Sequence, residues 1–253
     1  MARCIVFRNC LDPPMPRAVG DEPTSASPDG RSRSGPGAGG MQAYYRERAP
    51  EYDLLYAVPA YQDDLAALRR WLEPRVAGAS VLEVAAGTGY WTEAAAPFAR
   101  AITATDCNAE TLAVAARRRL GPDVTLVQAD AYALPDFGAT FGVGMAHLWW
   151  SHVEKERRQA FLAGLAARLR PHATLLMLDQ RFRRGWGPPC CRRDRFGNRY
   201  EMRRVGAAEY EVVKNYPGPK ELRADLAGLC DGIEILLLEY FWAVRARFAD
   251  TRS

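Results

Sequence analysis

The sequence has few histidines, no paired cysteine motif and no long apolar run. It contains three histidines and six cysteines, without C-x-x-C spacing or a histidine at zinc-site distance, so neither a metal site nor a disulfide framework is predicted. The longest apolar stretches, such as residues 235–238 with their neighbours, are far shorter than the roughly 20 residues that cross a bilayer. Residues 1–6 are briefly apolar, but charge and proline follow, which argues against a secretory signal. We therefore expect a cytoplasmic protein with no membrane partner.

A large excess of charge of one sign is also missing. The chain has 34 Lys and Arg against 30 Asp and Glu, a formal charge of +4, which alone does not indicate nucleic-acid binding. Hydrophobic residues make up 48% of the 253 residues, the ordinary usage of a globular domain.

The first 40 residues differ in composition from the rest. Residues 11–40 are dominated by Pro, Gly, Ser and charge, with too little apolar surface to offset the entropy of ordering them. The sequence predicts a disordered tail over residues 1–40 and one folded domain over residues 41–253, so that the functional protein starts at Met41.

Strand and helix patterns alternate through the middle of the chain. A helix over residues 61–72 ends before Pro74, and a second helix over residues 108–120 has Asn108 as its N-cap. A third helix spans residues 152–169. Apolar strands are predicted at residues 80–84, 99–106, 124–130, 141–146 and 173–179. Because parallel strands need crossover helices, the pattern predicts an α/β, Rossmann-like, doubly wound, mostly parallel seven-stranded sheet.

The C-terminal part has another pattern. Residues 198–205 and 209–216 alternate like exposed strands around a glycine-containing turn, and residues 221–229 favour a short helix. Residues 233–248 indicate one long strand or a bulged pair. We expect an antiparallel edge on this side of the sheet.

A glycine loop follows the first predicted strand. In residues 81–92, VLEVAAGTGYWT, an apolar strand contains Glu83 and continues into Ala85, Gly87 and Gly89. Glycine lets the backbone approach a ligand at the carboxyl end of a strand, where open α/β sheets bind their ligands.

Two further carboxylates end the next strands, Asp106 the second and Asp130 the third, with Ala131 following. Each alone is more often a helix cap or a solvated turn residue. Together they suit a nucleoside, whose ribose hydroxyls donate to one carboxylate and whose amino group donates to another. A nicotinamide dehydrogenase also has an acidic residue roughly 20 positions past a glycine loop. However, Thr92 stands where the dehydrogenase motif G-x-G-x-x-G has its third glycine, and a dehydrogenase does not require a carboxylate at Asp130.

From about Tyr44 to Asp179 the chain resembles the class I (Rossmann-like) S-adenosylmethionine-dependent methyltransferases, whose E-x-A-x-G-x-G loop is the segment starting at Glu83. The resemblance implies S-adenosyl-L-methionine as cofactor and S-adenosyl-L-homocysteine as product, within a cofactor-binding core over residues 80–179. It implies that residues 87–89 pass the methionine portion, that Asp106 binds the ribose hydroxyls, and that Asp130 with the Ala131 backbone holds the adenine.

The N-terminal segment of the domain resembles a lid. Tyr45, Arg48 and Tyr52, in YYRERAPEYD, are similar to the segment that closes over the cofactor in many small-molecule methyltransferases. The resemblance thus implies lid helices over residues 41–75 that contact the cofactor.

The segment after the fourth strand, MAHLWWSHV, is predicted to face the transferred methyl group and the cofactor. His147 or His152 would act as a base toward a hydroxyl or amine acceptor. Alternatively, His147 is a polar wall residue and His152 begins the next helix. Of Trp149 and Trp150, at least one is expected in the core, because adjacent side chains diverge.

Residues 180–219 form a basic segment on the substrate side. Between residues 179 and 205 it is dense in arginine and aromatic residues, which fits a flap that grips a carboxylate or phosphate, an RNA-binding surface, or a solvated loop with an edge hairpin. Its patterns G-N-x-Y from Gly197 and K-N-Y-P from Lys214 resemble those of some bacterial small-molecule methyltransferases.

The expected function is methyl transfer to a small-molecule acceptor, with little dedicated catalytic machinery. Two alternatives stay open: an RNA or protein methyltransferase that uses the basic flap, and a module that binds the cofactor without catalysis. The acceptor and the oligomeric state do not follow from the sequence.

Overall fold

The computed structural model describes residues 38–249 and contains two sheets. The larger sheet has the strand order β3-β2-β1-β4-β5-β10-β9. Its strands are β1 (Ser80–Val84), β2 (Ala101–Asp106), β3 (Val124–Gln128), β4 (Phe141–His147), β5 (Leu169–Gln180), β9 (Cys230–Leu237) and β10 (Phe241–Phe248). The smaller sheet consists of β6 (Cys190–Arg193), β7 (Arg199–Val205) and β8 (Ala208–Val213).

Helices cover both faces of the larger sheet. They are α1 (Ala38–Arg48), α2 (Gln62–Val76), α3 (Tyr90–Ala95), α4 (Ala109–Ala115), α5 (Arg158–Ala166) and α6 (Pro219–Leu226). Short 3-10 turns lie at Ala49–Ala57, Pro59–Tyr61, Trp150–His152 and Lys155–Arg157. None of the helices within residues 38–249 is long and apolar enough to span a membrane.

The strand order confirms the expected fold. Strands β1 to β5 pair in parallel, and β10 pairs antiparallel with both β5 and β9. Because β1 lies between β2 and β4, the chain reverses its winding direction at β1. Ligands of doubly wound sheets bind at the carboxyl ends of the strands beside this reversal.

Several helix boundaries differ from the predicted ones. Of the predicted tail over residues 1–40, residues 1–37 lie outside the described residues, and residues 38–40 belong to α1, which begins at Ala38, ahead of Met41. Helix α2 continues through Pro74 to Val76, whose side chain is fully buried in the core. Tertiary packing here outweighs the cost of a proline near the helix end. Helix α4 ends at Ala115, and two 3-10 turns replace the first part of the helix expected from His152.

The C-terminal strands are arranged differently from the simplest expectation. Residues 233–248 form the end of β9, a turn at residues 238–240, and β10, and these two strands make the antiparallel edge. The turn between them is fixed by the Asp64 carboxylate of α2, which accepts the backbone N–H of Tyr240 at 2.6 Å and of Phe241 at 3.2 Å. The hairpin of β7 and β8 does not join this edge, because it pairs with β6 in the smaller sheet.

Candidate active site

A cavity of about 200 Å³ lies at the carboxyl ends of β1, β2 and β4 and over the loop after β3. We call it the glycine-loop cavity. Its lining includes Tyr45, Tyr52, Glu83, Ala85, Gly87, Asp106, Asp130, Ala131 and His147. These nine residues are among the eleven singled out from the sequence as cofactor contacts; Arg48 and Gly89 lie elsewhere.

The glycine loop adopts left-handed backbone at three positions: Ala85 (φ 53°), Gly87 (φ 58°) and Gly89 (φ 76°). A Cβ on Gly87 would meet no atom within 4 Å, so the backbone there borders open space. A Cβ on Gly89 would lie 2.9 Å from the Cβ of Ala115. The lack of a side chain at Gly87 therefore keeps the cavity open beside the backbone, whereas the lack of one at Gly89 lets the loop pack against α4.

Arg118, which follows α4, ties the glycine loop to the N-terminal segment. Its Nε donates to the Thr88 carbonyl at 2.5 Å, and its two terminal nitrogens donate to Glu93 and Asp53. The Thr88 hydroxyl also donates to Asp53 at 2.6 Å. Ion pairs and hydrogen bonds between residues far apart in sequence therefore stabilise the conformation of the glycine loop.

Asp106 organises the loop as well as facing the cavity. Its Oδ2 accepts the Gly87 N–H at 2.9 Å, while Oδ1 accepts the N–H of Asn108 and the hydroxyl of Thr111, each at 2.9 Å. Burial raises the pKa of Asp106 although these bonds favour the ionised form. A carboxylate has about four lone-pair sites, so Oδ2 keeps one for a ligand hydroxyl.

Asn108 stands at the N-cap position of α4, but its side chain makes no cap hydrogen bond. The carboxylate of Asp106 accepts the Asn108 N–H instead, and the Thr111 hydroxyl donates to the Asn108 carbonyl at 2.8 Å. The predicted N-cap position is therefore confirmed, although the Asn108 side chain makes no capping hydrogen bond. Asp106, two residues earlier, supplies the acceptor.

Glu83 is almost completely buried at the floor of the glycine-loop cavity. Its Oε2 accepts the hydroxyl of Thr92 at 2.6 Å. Burial raises the pKa of Glu83 to about 7, and the negative charge of Asp106 contributes in the same direction. Near neutral pH this carboxyl is close to half ionised, so a cationic ligand group would strongly favour its charged form.

The loop after β3 forms another wall of the cavity. Asp130 is exposed, and its Oδ1 accepts the N–H of Tyr132 at 2.9 Å. Arg157 lies 3.5 Å above the Tyr132 ring, a cation–π contact that fixes the ring plane. Burial raises the pKa of Tyr132 to about 12, so the phenol stays neutral. This wall presents a carboxylate, the Ala131 backbone and a flat aromatic surface.

His147 ends β4 and faces the cavity. Its side chain is buried, it packs edge-to-face on Trp91 at 5.5 Å, and neither ring nitrogen has a hydrogen-bond partner within residues 38–249. Burial lowers the pKa of His147 to about 3, so the imidazole is neutral at physiological pH. Of the two tryptophans that follow, Trp150 is fully buried in the core, as expected for one of the pair, and Trp149 lines the cavity.

His152 links the N-terminal helix to the smaller sheet. Its Nδ1 lies 2.6 Å from the Val213 carbonyl, which only accepts, so Nδ1 carries the proton. Nε2 then accepts the hydroxyl of Tyr45 at 2.7 Å. Burial and the nearby charge of Lys214 lower the pKa of His152. Both ring nitrogens are therefore engaged in holding α1 against β8.

A second cavity of about 370 Å³ adjoins the first. We call it the arginine cavity. Its lining includes Arg48, Tyr61, Arg181, Arg183, Trp186, Arg203, Lys214, Tyr216 and Tyr240. Tyr45, Tyr52, Leu148 and His152 line both cavities. Leu148 has φ 54°, and such strain in a residue other than glycine is typical of functional sites.

The two sequence patterns of the flap serve as anchors. The Asn198 Oδ1 accepts the Lys155 N–H at 2.8 Å and the amide of Asn215 at 3.0 Å, and the Asn215 N–H donates to the Ser151 carbonyl at 2.8 Å. Lys214 is buried, and its Nζ lies 2.8 Å from the Ser151 hydroxyl and 3.3 Å from a carboxylate oxygen of Asp179. These contacts attach the smaller sheet to the carboxyl ends of β4 and β5.

Sequence reasoning missed several cavity residues. Thr111, Trp91, Tyr56 and Tyr132 line the glycine-loop cavity, but each is an apolar or neutral residue inside a helix, turn or loop pattern. No spacing rule marks such residues, because their position depends on how the elements pack.

The sequence was compared with models of protein families and with curated proteins. Residues 81–172 match a family model described as a methyltransferase domain. None of the curated proteins matches the sequence significantly.

Solved structures similar to the chain include two complexes of DhpI and one of NodS. The DhpI–SAH complex is 27% identical, covering 84% of this chain and 97% of that chain, with a TM-score of 0.70. The DhpI–SAM–HEP complex is 28% identical, covering 80% and 94%, with a TM-score of 0.64. The N-methyltransferase NodS from Bradyrhizobium japonicum WM9 with S-adenosylhomocysteine is 14% identical, covering 83% and 98%; its TM-score of 0.58 shows a likeness of fold.

The matched residues 81–172 begin in β1 and end in β5, so they include the strands that build the glycine-loop cavity. Together with the likeness to the DhpI complexes, this match identifies residues 81–172 as a methyltransferase domain of the class I, S-adenosylmethionine-dependent type.

Proposed function

We propose that the protein transfers the methyl group of S-adenosylmethionine, held in the glycine-loop cavity, to a small-molecule acceptor held in the arginine cavity. The observation that carries this proposal is the wall that the two cavities share, formed by Tyr45, Tyr52, Leu148 and His152. A cofactor on one side and an acceptor on the other would meet at this wall.

The lining of the glycine-loop cavity fits the cofactor. Three carboxylates, Glu83, Asp106 and Asp130, line this cavity, and carboxylates can accept hydrogen bonds from an amino group, two ribose hydroxyls and an adenine amino group. Both nitrogens of buried His147 lack a partner within the described residues, which is expected where a ligand completes a site. When bound, the cofactor supplies a methyl group already activated by its sulfonium.

The chain's own residues would then bind and align the reactants. We assign Glu83 to the methionine portion, Asp106 to the ribose, and Asp130 with Ala131 to the adenine. Tyr45 and Tyr52 would close the cavity from the N-terminal side. Arg48, which the family resemblance places near the cofactor, lines the arginine cavity, and we assign it to the acceptor side.

A base role for His147 stays a prediction. Its neutral imidazole is free to accept a proton, but a pKa of about 3 makes it a weak base. Alignment and exclusion of water are therefore the main contributions that we assign to the site.

A small acceptor is favoured over RNA. The second cavity has a volume typical of small-ligand sites, and its lining includes Arg48 of α1 and Arg203 of β7. Of the nine arginines in residues 180–219, five pair with carboxylates, such as Arg192 with Glu211 at 2.7 Å and Arg204 with Glu209. Paired arginines contribute little to phosphate binding.

Calorimetric titration of S-adenosylhomocysteine into the full chain tests the cofactor site. Asp106→Asn should weaken binding by at least about tenfold, because a hydrogen bond to a charged group contributes about 1.5–3 kcal/mol. Asp123→Asn, on an exposed aspartate before β3, is the matched control and should leave affinity unchanged. If Asp106→Asn binds S-adenosylhomocysteine as tightly as the natural protein does, Asp106 is not part of the cofactor site.

Turnover separates an enzyme from a non-catalytic binding module. The protein is incubated with S-adenosylmethionine and a panel of small acids, amines and phenols, and formation of S-adenosylhomocysteine is followed. Affinity for the cofactor without turnover on any member of the panel would favour the binding module.

A further inference from the structure

We propose that the acceptor carries an oxyanion, a carboxylate or phosphate-type group, which the arginine cavity binds through Arg48 and Arg181. This inference rests on the proposed function and names the chemical class of its acceptor.

The first observation is the charge of the lining. Five cationic side chains line the arginine cavity: Arg48, Arg181, Arg183, Arg203 and Lys214. No aspartate or glutamate lines it within the described part of the chain. A cavity with several cations and no lining carboxylate holds a positive potential that favours an anionic ligand.

The second observation is which of these cations already have a partner. Lys214 pairs with Asp179 at 3.3 Å, Arg183 pairs with Glu239 at 2.6 Å, and Arg203 pairs with Glu201. The carboxylates that pair with these three cations do not line the cavity.

Arg48 and Arg181 have no carboxylate partner among residues 38–249. The guanidinium of Arg48 lies 5.9 Å from the Tyr44 ring centroid, and that of Arg181 donates to the Leu238 carbonyl. A guanidinium has five N–H donors in a planar fork that matches a carboxylate or phosphate. Both arginines keep most of these donors for a ligand.

Part of the wall of the arginine cavity is aromatic. Trp186 lies 5.8 Å from Tyr61 and 4.8 Å from Tyr240, measured between ring centroids. This wall offers apolar surface to the body of the acceptor while the arginines hold its charged end. An acidic molecule with an apolar or aromatic portion fits both features.

The experiment measures the binding of paired probes to the full chain by calorimetry, with and without saturating S-adenosylhomocysteine. The probes are phenylacetate against phenylacetamide, and phenyl phosphate against phenol. We expect at least one anion to bind about tenfold or more tightly than its neutral partner. Arg181→Gln and Arg48→Gln should each abolish most of this preference. Arg245→Gln, on the exposed face of β10 and paired with Glu234, is the matched control and should retain it.

Equal binding of the anion and its neutral partner would overturn the proposal, as would a preference that survives both arginine substitutions. If phenylacetate binds and phenyl phosphate does not, the acceptor is a carboxylic acid. The reverse result indicates an acceptor with a phosphate-type group. Affinity for S-adenosylhomocysteine is read separately. Its absence would refute the proposed cofactor site, whereas the arginine-dependent anion preference without it would still support the acceptor site.

Discussion

The raised pKa of Glu83 predicts that cofactor affinity depends on pH. In the free protein burial raises this pKa from 4.5 to about 7. If the ammonium of the methionine portion lies beside Glu83, the bound state favours the carboxylate and its pKa returns to its ordinary range or below. Binding then requires the ionised form.

The magnitude follows from the fraction that is ionised. With a pKa of about 7, roughly one-eleventh of the free protein has ionised Glu83 at pH 6, and roughly ten-elevenths at pH 8. The dissociation constant of S-adenosylhomocysteine should therefore fall about tenfold from pH 6 to pH 8. Binding should release about 0.9 protons at pH 6 and about 0.1 at pH 8.

Calorimetry in two buffers of different ionisation enthalpy measures both quantities. Glu83→Gln is the matched variant, since it keeps the size of the side chain and removes the titration. Its affinity should be weaker than that of the natural protein at pH 8 and independent of pH between 6 and 8. His147 and His152 carry lowered pKa values, so neither adds a step in this range. Constant affinity of the natural protein from pH 6 to pH 8, without proton release, would refute the reasoning.

The same shift has a consequence for stability. A folded-state pKa above the unfolded value means that the folded protein binds more protons between about pH 4.5 and pH 7. The contribution of Glu83 to the free energy of unfolding is therefore present below pH 4.5 and is lost as the pH rises through 7. Glu83→Gln should lack this contribution to the pH dependence when stability is measured by urea unfolding.

Three further predictions follow from single contacts. Lys214→Met should cost about 3–5 kcal/mol in urea unfolding, because it leaves the buried Asp179 carboxylate unpaired. The double variant with Asp179→Asn should recover part of that loss, and no recovery would contradict the pairing. Gly89→Ala should destabilise the protein by about 2–4 kcal/mol, because Gly89 has positive φ and an added Cβ would clash with Ala115. Gly164→Ala is the control, since Gly164 is an exposed helix position with open space around it. A fall in melting temperature for Gly89→Ala no larger than that for Gly164→Ala would disprove this prediction. His147→Gln should leave the pH dependence of S-adenosylhomocysteine affinity unchanged, and the loss in this variant of a slope that the natural protein shows near pH 6.5 would show that the histidine titrates.

Much of the fold was predictable from local patterns. The β1 strand, the glycine loop and the carboxylates Asp106 and Asp130 are marked by period, by composition and by their place at strand ends. Errors were concentrated at boundaries, such as the end of α2 beyond Pro74, because packing of Val76 decides where that helix ends. The hairpin of β7 and β8 was assigned to the wrong sheet, since alternation shows that a segment is a strand without showing its partner.

The sequence by itself determined the class of fold and most of the residues that we propose as cofactor contacts, because those features depend on residues close together in the chain. Only the tertiary structure decided the lining of the arginine cavity. Arg48 comes from α1, Arg181 follows β5 and Tyr240 lies in the turn before β10, so no local pattern connects them. The bond from Tyr45 to His152 spans 107 positions and closes the wall between the two cavities. Such contacts arise from the packing of whole elements, which the order of residues along one segment does not reveal.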